Sequence, residues 1–186
     1  YTFREVQQDG WFQSGPVGGE YTETFESGGS SVANDFFNYQ KATKSGTKYE
    51  DMNANGAFDE GEVGLSGWTI YIDANGNNIF DAGETSAVTD GDGKYSFSLD
   101  PGTYTFREVQ QTGWFQSGPA GGEYSETFES GDISVDNDFF NYQKATKSGT
   151  KYEDMNANGA FDAGDVALSG WTIYIDANGN DSFDAG

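Results

Sequence analysis

Acidic and amide side chains recur along this sequence at the spacing of a calcium-binding loop. The segment that begins at Asp51 follows the pattern D-x-[DN]-x-[DN]-G-x₅-E, which places side-chain oxygens at loop positions one, three, five, nine and twelve. A backbone carbonyl at position seven adds a further ligand, and Ca²⁺ takes roughly six to eight such oxygens. The sequence therefore predicts Ca²⁺ as a structural cofactor.

Four loops of this kind are present. The predicted ligands of the first loop are Asp51, Asn53, Asn55, Ala57, Asp59 and Glu62. Those of the second loop are Asp73, Asn75, Asn77, Ile79, Asp81 and Glu84. Those of the third loop are Asp154, Asn156, Asn158, Ala160, Asp162 and Asp165. Those of the fourth loop are Asp176, Asn178, Asn180 and Asp184.

The four loops depart from the pattern at two kinds of position. Asn78 stands where the first loop has Gly56, and asparagine tolerates a left-handed backbone better than most residues. Asp165 replaces the glutamate at position twelve, and the shorter acid predicts a weaker site. The alternative interpretation is a set of Asx-rich turns that bind no metal.

A second group of residues could join two strands covalently. In the alternating segment 104–108, Glu108 lies on the same face as two aromatic rings. A buried carboxylate needs a partner, and Lys48 and Asn141 are candidates from the first and last strands of the repeat. A desolvated lysine can attack the asparagine carboxamide while the glutamic acid moves the proton, which leaves an isopeptide bond and ammonia. The alternative is a buried Lys48–Glu108 ion pair beside Asn141.

The chain is a tandem array. Tyr1 is repeated at Tyr104, a period of 103 residues, and the 83 residues that follow each of these starts differ at 11 positions. Near-identity at this length indicates repeated domains rather than one large fold. The equivalents of the isopeptide residues are Glu5 and Asn38 in the earlier copy and Lys151 in the later copy.

The repeat boundaries predict three segments. Residues 1–43 are the C-terminal part of one repeat, 44–143 form a complete repeat, and 144–186 are the N-terminal part of the next. Because both ends fall inside a repeat, we expect the chain to be a window on a longer array.

The pattern of the complete repeat predicts an all-β fold. Short alternating segments rich in β-branched and aromatic residues are separated by turn residues, and no stretch has a helical period. The predicted strands are 46–50, 68–72, 85–89, 95–99, 104–108, 124–128 and 135–142. About seven short strands in about 100 residues favour an antiparallel β-sandwich of immunoglobulin-like type.

The composition excludes several classes of function. The formal charge of −22 argues against binding to nucleic acid or to anionic membranes. The chain has no cysteine and no histidine, so disulfides, zinc sites and histidine-based catalysis are excluded. No apolar run is long enough to insert into a membrane. We therefore expect no enzyme activity beyond autocatalytic Lys–Asn bond formation.

Two other functions are compatible with the sequence. The segment 113–119, repeated at 10–16, places adjacent aromatic residues in a Gly-rich loop that could bind a sugar or a protein. The opposing interpretation is that Trp114 covers the core of the sandwich. Self-assembly into an extracellular filament by strand exchange is the second alternative.

The order of motifs also resembles a known family. The segments Ser45-Gly-Thr-Lys48-Tyr-Glu-Asp51, Gly64-Leu-Ser-Gly-Trp68, Asp92-Gly-Lys-Tyr95 and Pro101-Gly-Thr-Tyr104-x-x-x-Glu108 resemble B-type repeats of bacterial surface adhesins. They are most similar to the calcium-binding B domains of serine–aspartate repeat adhesins, and similar also to the wider collagen-adhesin B-type family.

The resemblance implies a structural function. It implies a prealbumin-like or immunoglobulin-like sandwich in a secreted or cell-surface stalk, stiffened by calcium, with neighbouring repeats as partners. In the wider family the glutamate of the Tyr-x-x-x-Glu strand assists Lys–Asn bonds, and Glu108 occupies that position.

Overall fold

The regular secondary structure of the chain is almost entirely β-strand, as predicted. The computed structural model describes residues 1–184, which form a first compact unit, Tyr1–Lys144, and a second that begins at Ala145. The strands of the partial copy at the start are β1 (Thr2–Arg4), β2 (Phe12–Gly15), β3 (Glu20–Thr22) and β4 (Phe37–Tyr39). The second unit contains β14 (Tyr152–Glu153) and β15 (Val166–Ala167), which pair antiparallel.

The complete repeat contributes the other nine strands. They are β5 (Ala42–Glu50), β6 (Thr69–Ile72), β7 (Ser86–Val88), β8 (Lys94–Leu99), β9 (Gly102–Glu108), β10 (Trp114–Gly118), β11 (Glu123–Phe128), β12 (Ile133–Ser134) and β13 (Phe139–Gln143). A short 3-10 turn, Ala120–Gly122, connects β10 to β11. No helix within residues 1–184 is long and apolar enough to cross a membrane.

Two sheets pack face to face in this repeat. One sheet has β5 at its centre, with β8 on one side and β12, β13 and then β10 on the other; the second has the order β11-β9-β6-β7. The two sheets together confirm the predicted β-sandwich.

Two pairings differ from a purely antiparallel arrangement. The first strand of the repeat, β5, runs parallel to β12 and to the last strand, β13. Because parallel neighbours point the same way, the chain enters the repeat at one end of the sandwich and leaves at the other.

The core lies between the sheets and receives side chains from both. Strand β8 alternates strictly, so its apolar residues point inward and its polar residues face water. The buried core residues are Ala42, Ile70, Ile72, Tyr95, Phe97, Leu99, Phe106, Phe128 and Phe139. Five of these nine are aromatic, which explains how a Gly-rich, acidic chain buries enough apolar area to fold.

The structure corrects three strand predictions. Strand β5 begins at Ala42 rather than at residue 46, because residues 42–47 pair with β8. The predicted strand 135–142 is interrupted, since Asp136 has a left-handed φ of 58° between β12 and β13. The predicted aromatic loop 113–119 is largely strand β10, which pairs with β13.

Candidate functional site

Lys48, Glu108 and Asn141 meet between the two sheets. Lys48 lies on β5, Asn141 on the adjacent β13, and Glu108 on β9 of the facing sheet. The Lys48 Nζ donates to Asn141 Oδ1 at 2.7 Å and lies 3.0 Å from Glu108 Oε2. The Asn141 Nδ2 donates to Glu108 Oε1 at 2.6 Å. Glu108 therefore contacts both nitrogens that would change partners in an isopeptide reaction.

This site is shielded from water. Lys48 and Asn141 have no exposed surface, and Glu108 is 8% exposed. The indole of Trp68 lies 4.5 Å from the Lys48 Nζ, and Trp114 packs edge-on against Trp68 with ring centroids 5.7 Å apart. The half-buried Trp114 thus covers the core beside the lysine, as the opposing interpretation of the aromatic segment expects.

Burial shifts the two ionisable groups toward their neutral forms. Desolvation lowers the pKa of Lys48 to about 8, although the charges of Glu108 and Asp51 act in the other direction. Desolvation likewise raises the pKa of Glu108, against the influence of Lys48 and Asn141. Glu108 Oε2 lies 3.0 Å from the Lys48 Nζ and Oε1 accepts from Asn141 Nδ2, so each carboxyl oxygen faces one of the two nitrogens. A neutral amine beside a carboxylic acid is the state that amide exchange requires.

The equivalent residues in the other copies are placed as the repeat predicts, but they are more open. In the first unit, Asn38 Nδ2 donates to Glu5 Oε2 at 3.1 Å. In the second unit, Lys151 Nζ lies 5.1 Å from the ring of Trp171, which mirrors the Lys48–Trp68 pair, and donates to the Tyr152 carbonyl. The structure thus brings Glu5 and Asn38 together within the first unit.

The first predicted calcium loop has a closed geometry. The side-chain amides of Asn53 and Asn55 both donate to Asp59 Oδ2 at 2.7 Å. Glu62 accepts the Met52 N–H and the Asp59 N–H on its two carboxylate oxygens. Loop positions three, five and nine therefore converge on one point, and position twelve closes the loop.

The other three loops repeat this geometry. The amides of positions three and five donate to the position-nine carboxylate at 2.5–2.9 Å in the second, third and fourth loops. Position six is left-handed throughout, with φ of 74° at Gly56, 64° at Asn78, 78° at Gly159 and 58° at Asp181. Asp165 closes the third loop with both oxygens, as Glu62 does in the first.

The first aspartates of the two loops in the complete repeat have different neighbours. Burial would raise the pKa of Asp51, but hydrogen bonds from Ser117 and from backbone N–H groups outweigh it and lower the pKa. Asp73 is also buried, and its pKa is also lowered by hydrogen bonds that outweigh burial. One of those bonds comes from the Arg107 guanidinium, whose Nε lies 3.0 Å from Asp73 Oδ2. The second loop therefore already has a cation at position one.

The donor sets of all four loops fit Ca²⁺. Every side-chain donor predicted from the sequence supplies oxygen, and each loop relies on asparagine amides for two of them. The first three loops each carry three carboxylates, but within residues 1–184 no three acidic, histidine or cysteine side chains lie close enough together to form a metal cluster. Each Asn Oδ1 at position five accepts one backbone N–H and retains a second lone pair for a cation.

The partial copy at the start contacts the complete repeat through a small polar junction. Asp100 accepts a hydrogen bond from the Tyr39 hydroxyl at 2.8 Å and lies 3.1 Å from the Lys41 Nζ. The Gln40 N–H donates to Ser130 Oγ at 2.8 Å. Successive copies of this chain are therefore direct neighbours.

More than half of the chain matches a known protein family. A family model described as "SdrD B-like domain" matches residues 46–151, more than half of the chain. The chain belongs to this family. Serine-aspartate repeat-containing protein D of Staphylococcus aureus strain Newman is 30% identical over 137 residues, and strain MW2 has the same protein at the same identity. Each match covers 67% of this chain and 10% of the relative, so the chain spans about a tenth of its relatives' length.

Two solved structures are also similar to this B-like domain chain. The Bacillus anthracis TIE protein gives a TM-score of 0.38 at 16% identity, covering 57% of this chain and 17% of that one. The shaft pilin spaA from Lactobacillus rhamnosus GG gives a TM-score of 0.37 at 18% identity, covering 57% and 52%.

Family membership confirms the predicted resemblance to B-type repeats. It also confirms the expectation of a structural repeat of a bacterial surface protein rather than an enzyme. Sequence reasoning missed Ser117 and Arg107 at the calcium loops, and it missed Lys44 because β5 was predicted to start later. The alternation along β5 could have identified Lys44, because it places Lys44 and Lys48 on the same face of the strand.

Proposed function

We propose that this B-like domain chain is a calcium-stiffened stalk or fibre segment whose complete repeat is closed by a bond between Lys48 and Asn141. The observation that carries the proposal is the meeting of Lys48, Glu108 and Asn141 in a dry site between the first and last strands. Pulling force enters the repeat through β5 and leaves through β13, and these strands are neighbours. A bond between them transmits that force without unfolding the residues in between.

The reaction follows from the contacts. Neutral Lys48 Nζ attacks Asn141 Cγ and forms the new C–N bond, while the protonated carboxyl group of Glu108 gives its proton to Asn141 Nδ2. The old C–N bond breaks, ammonia leaves, and the Glu108 carboxylate takes a proton from the attacking nitrogen. No further reactant is needed, and Glu108 ends the reaction as it began.

Calcium would stiffen the repeat through its connections. The first loop follows β5 directly, and the Asp51 N–H donates to the Asn141 carbonyl at 2.8 Å while Ser117 of β10 donates to the Asp51 carboxylate. A cation held by this loop would tie three strands of one sheet together and offset part of the charge of −22. Neighbouring repeats are the proposed partners, with self-association into fibres as the extension of the same contacts.

Thermal melting and small-angle X-ray scattering of the full chain test this proposal. With calcium we expect a higher melting temperature and a longer maximum dimension than with a chelator. Asp59→Ala and Asp81→Ala should each remove part of the calcium effect. Asp92→Ala is the matched control, because Asp92 is an exposed acid outside the loops. Identical melting and dimensions with and without calcium would refute calcium stiffening.

A further inference from the structure

A second buried lysine lies on the same strand as Lys48. Lys44 has no exposed surface and points from β5 into the sandwich, four residues before Lys48. Its Nζ donates to Asn137 Oδ1 at 2.6 Å and to Glu126 Oε2 at 2.8 Å. A lysine, a glutamate and an asparagine thus meet here with nearly the same distances as at Lys48.

A hydroxyl completes a path for protons at this second site. Asn137 Nδ2 donates to Ser134 Oγ at 3.0 Å, and Ser134 Oγ donates to Glu126 Oε2 at 3.0 Å. At the Lys48 site the glutamate contacts the amide nitrogen directly, whereas here the serine bridges that gap. The four groups form a closed ring from the lysine amine through glutamate and serine to the amide nitrogen.

The earlier copy contains the same path. Ser31 Oγ donates to Glu23 Oε1 at 2.6 Å, and Asn34 Nδ2 donates to Ser31 Oγ at 2.8 Å. These residues are the equivalents of Ser134, Glu126 and Asn137, one period of 103 residues earlier. The glutamate–serine–asparagine path therefore forms in a copy where no lysine is described beside it, so the lysine does not cause it.

The backbone holds Asn137 against β5. A Cβ at Gly46 would overlap the Asn137 carbonyl, so the glycine between the two lysines allows this close approach. Tyr95 donates from its hydroxyl to the same carbonyl at 2.5 Å, and the Asn137 N–H donates to the Ser45 carbonyl. Asn137 is itself buried, at 7% exposed. The amide carbon is thus fixed beside the lysine amine.

We propose that Lys44 and Asn137 form a second intramolecular isopeptide bond in the complete repeat. Lys44 Nζ attacks Asn137 Cγ and passes a proton to Glu126. Ser134 accepts that proton from Glu126 while giving its own to Asn137 Nδ2, after which the C–N bond breaks and ammonia leaves. One amide replaces another, with no oxidant or cofactor.

The second bond forms more slowly than the first. The Glu126 side chain is 36% exposed, so water competes for its protons. The rings of Phe106 and Tyr124 each lie 4.8 Å from the Lys44 Nζ and favour the charged ammonium, which is not nucleophilic. Incubation at mildly alkaline pH should therefore complete the second bond.

Denatured intact mass and peptide mapping of the full chain test the proposal. After prolonged alkaline incubation we expect a deficit of two ammonia molecules and a branched peptide joining Lys44 to Asn137. Lys44→Arg should reduce the mass deficit from two ammonia molecules to one. Lys147→Arg, the equivalent exposed lysine of the next copy, is the matched control and should change nothing. Ser134→Ala keeps the Lys44–Glu126 pair and should slow the second loss at least tenfold without affecting the first.

Each outcome separates this inference from the proposed function, on whose chemistry it rests. A single deficit mapped to Lys48 and Asn141 after full incubation would overturn the second bond and leave the first. A single deficit mapped to Lys44 and Asn137 would support the second bond and overturn the first. An unchanged mass would overturn both.

Discussion

The two lysine sites of the complete repeat use the same three residue types but differ in enclosure. Glu108 is almost fully enclosed and contacts both reacting nitrogens, whereas Glu126 is partly open to water and reaches the amide through Ser134. Burial lowers the pKa of both lysines, and the neighbouring glutamate opposes this effect at each site. Matching distances alone therefore do not make two sites equally reactive.

We expect enclosure of the acid to decide how fast each proposed bond forms. Burial raises the pKa of the Glu108 carboxyl group, so this group can carry a proton. The Glu126 side chain is partly open to water, which competes for its protons. Both sites link the same two regions, since each lysine lies 93 residues from its asparagine. The two proposed bonds would therefore differ in rate but close almost the same loop.

Replacing the glutamates of both lysine sites together should cause the largest loss of stability. The double variant Glu108→Gln/Glu126→Gln leaves the loop open, and closure of a loop of about 100 residues contributes about 4.7 kcal/mol in the chain-entropy model. Each single variant keeps one bond and should lose about 1–2 kcal/mol. Urea unfolding of fully incubated protein measures these differences. Strict additivity of the two single effects would contradict a shared loop.

The next largest effect should be the pH dependence of stability when Lys48 cannot form its bond. In Asn141→Ala the amine stays buried, and its pKa of about 8 lies below the unfolded value of 10.5. Between these values the unfolded chain binds more protons than the folded chain, so stability should rise with pH, by about 3 kcal/mol at most. Denaturant unfolding from about pH 8 upward measures this slope.

A matched variant assigns that slope to the lysine. Lys48→Met in the Asn141→Ala background removes the titrating amine and should flatten the dependence. A slope that persists in the double variant would place its origin elsewhere, and a falling slope in Asn141→Ala would mean that Lys48 is not desolvated.

Calcium should change the rate of bond formation at Lys48 much more than at Lys44. The charge of Asp51 raises the pKa of Lys48, so a cation on the first loop should free the neutral amine and speed the Lys48 bond by about fivefold. Lys44 lies at the other end of β5 and should respond little. The time course of each branched peptide with calcium or chelator measures both rates. If calcium accelerated both bonds equally, this prediction would be wrong.

Replacing Arg107 should have the smallest effect, on the calcium affinity of the second loop. Its guanidinium at Asp73 repels a cation in the second loop, while the first loop has neutral Ser117 at the same position. Arg107→Gln should therefore raise the calcium affinity of the second loop by about threefold, the effect of a partly exposed charge pair. Isothermal titration compares it with Ser117→Ala, which should leave the second loop unchanged.

Much of the site could be predicted from alternation and spacing. Alternation along β9 places Glu108 on the apolar face with Phe106, and the structure finds it there. The loop spacing predicts which oxygens share a loop, and positions three, five and nine do converge. Both inferences concern residues close in sequence, where backbone geometry fixes the side-chain direction.

The remaining features depend on pairing between distant segments. Strand β11 carries Tyr124, Glu126 and Phe128 on one face, the same pattern as β9, but its lysine becomes visible only once β5 is known to start at Ala42. That start is set by pairing with β8. The contact of Arg107 with Asp73 likewise needs the register between β6 and β9. Local patterns do not encode such registers.

Peptide mapping of the full chain tests the central claim, the bond between Lys48 and Asn141, most directly. After protease digestion under denaturing conditions, we predict one branched peptide that contains both residues and is lighter by one ammonia than its two linear parts. Glu108→Gln should give the two linear peptides instead. Linear peptides of full mass from the unmodified chain would contradict the account and leave Lys48 and Glu108 as a buried ion pair.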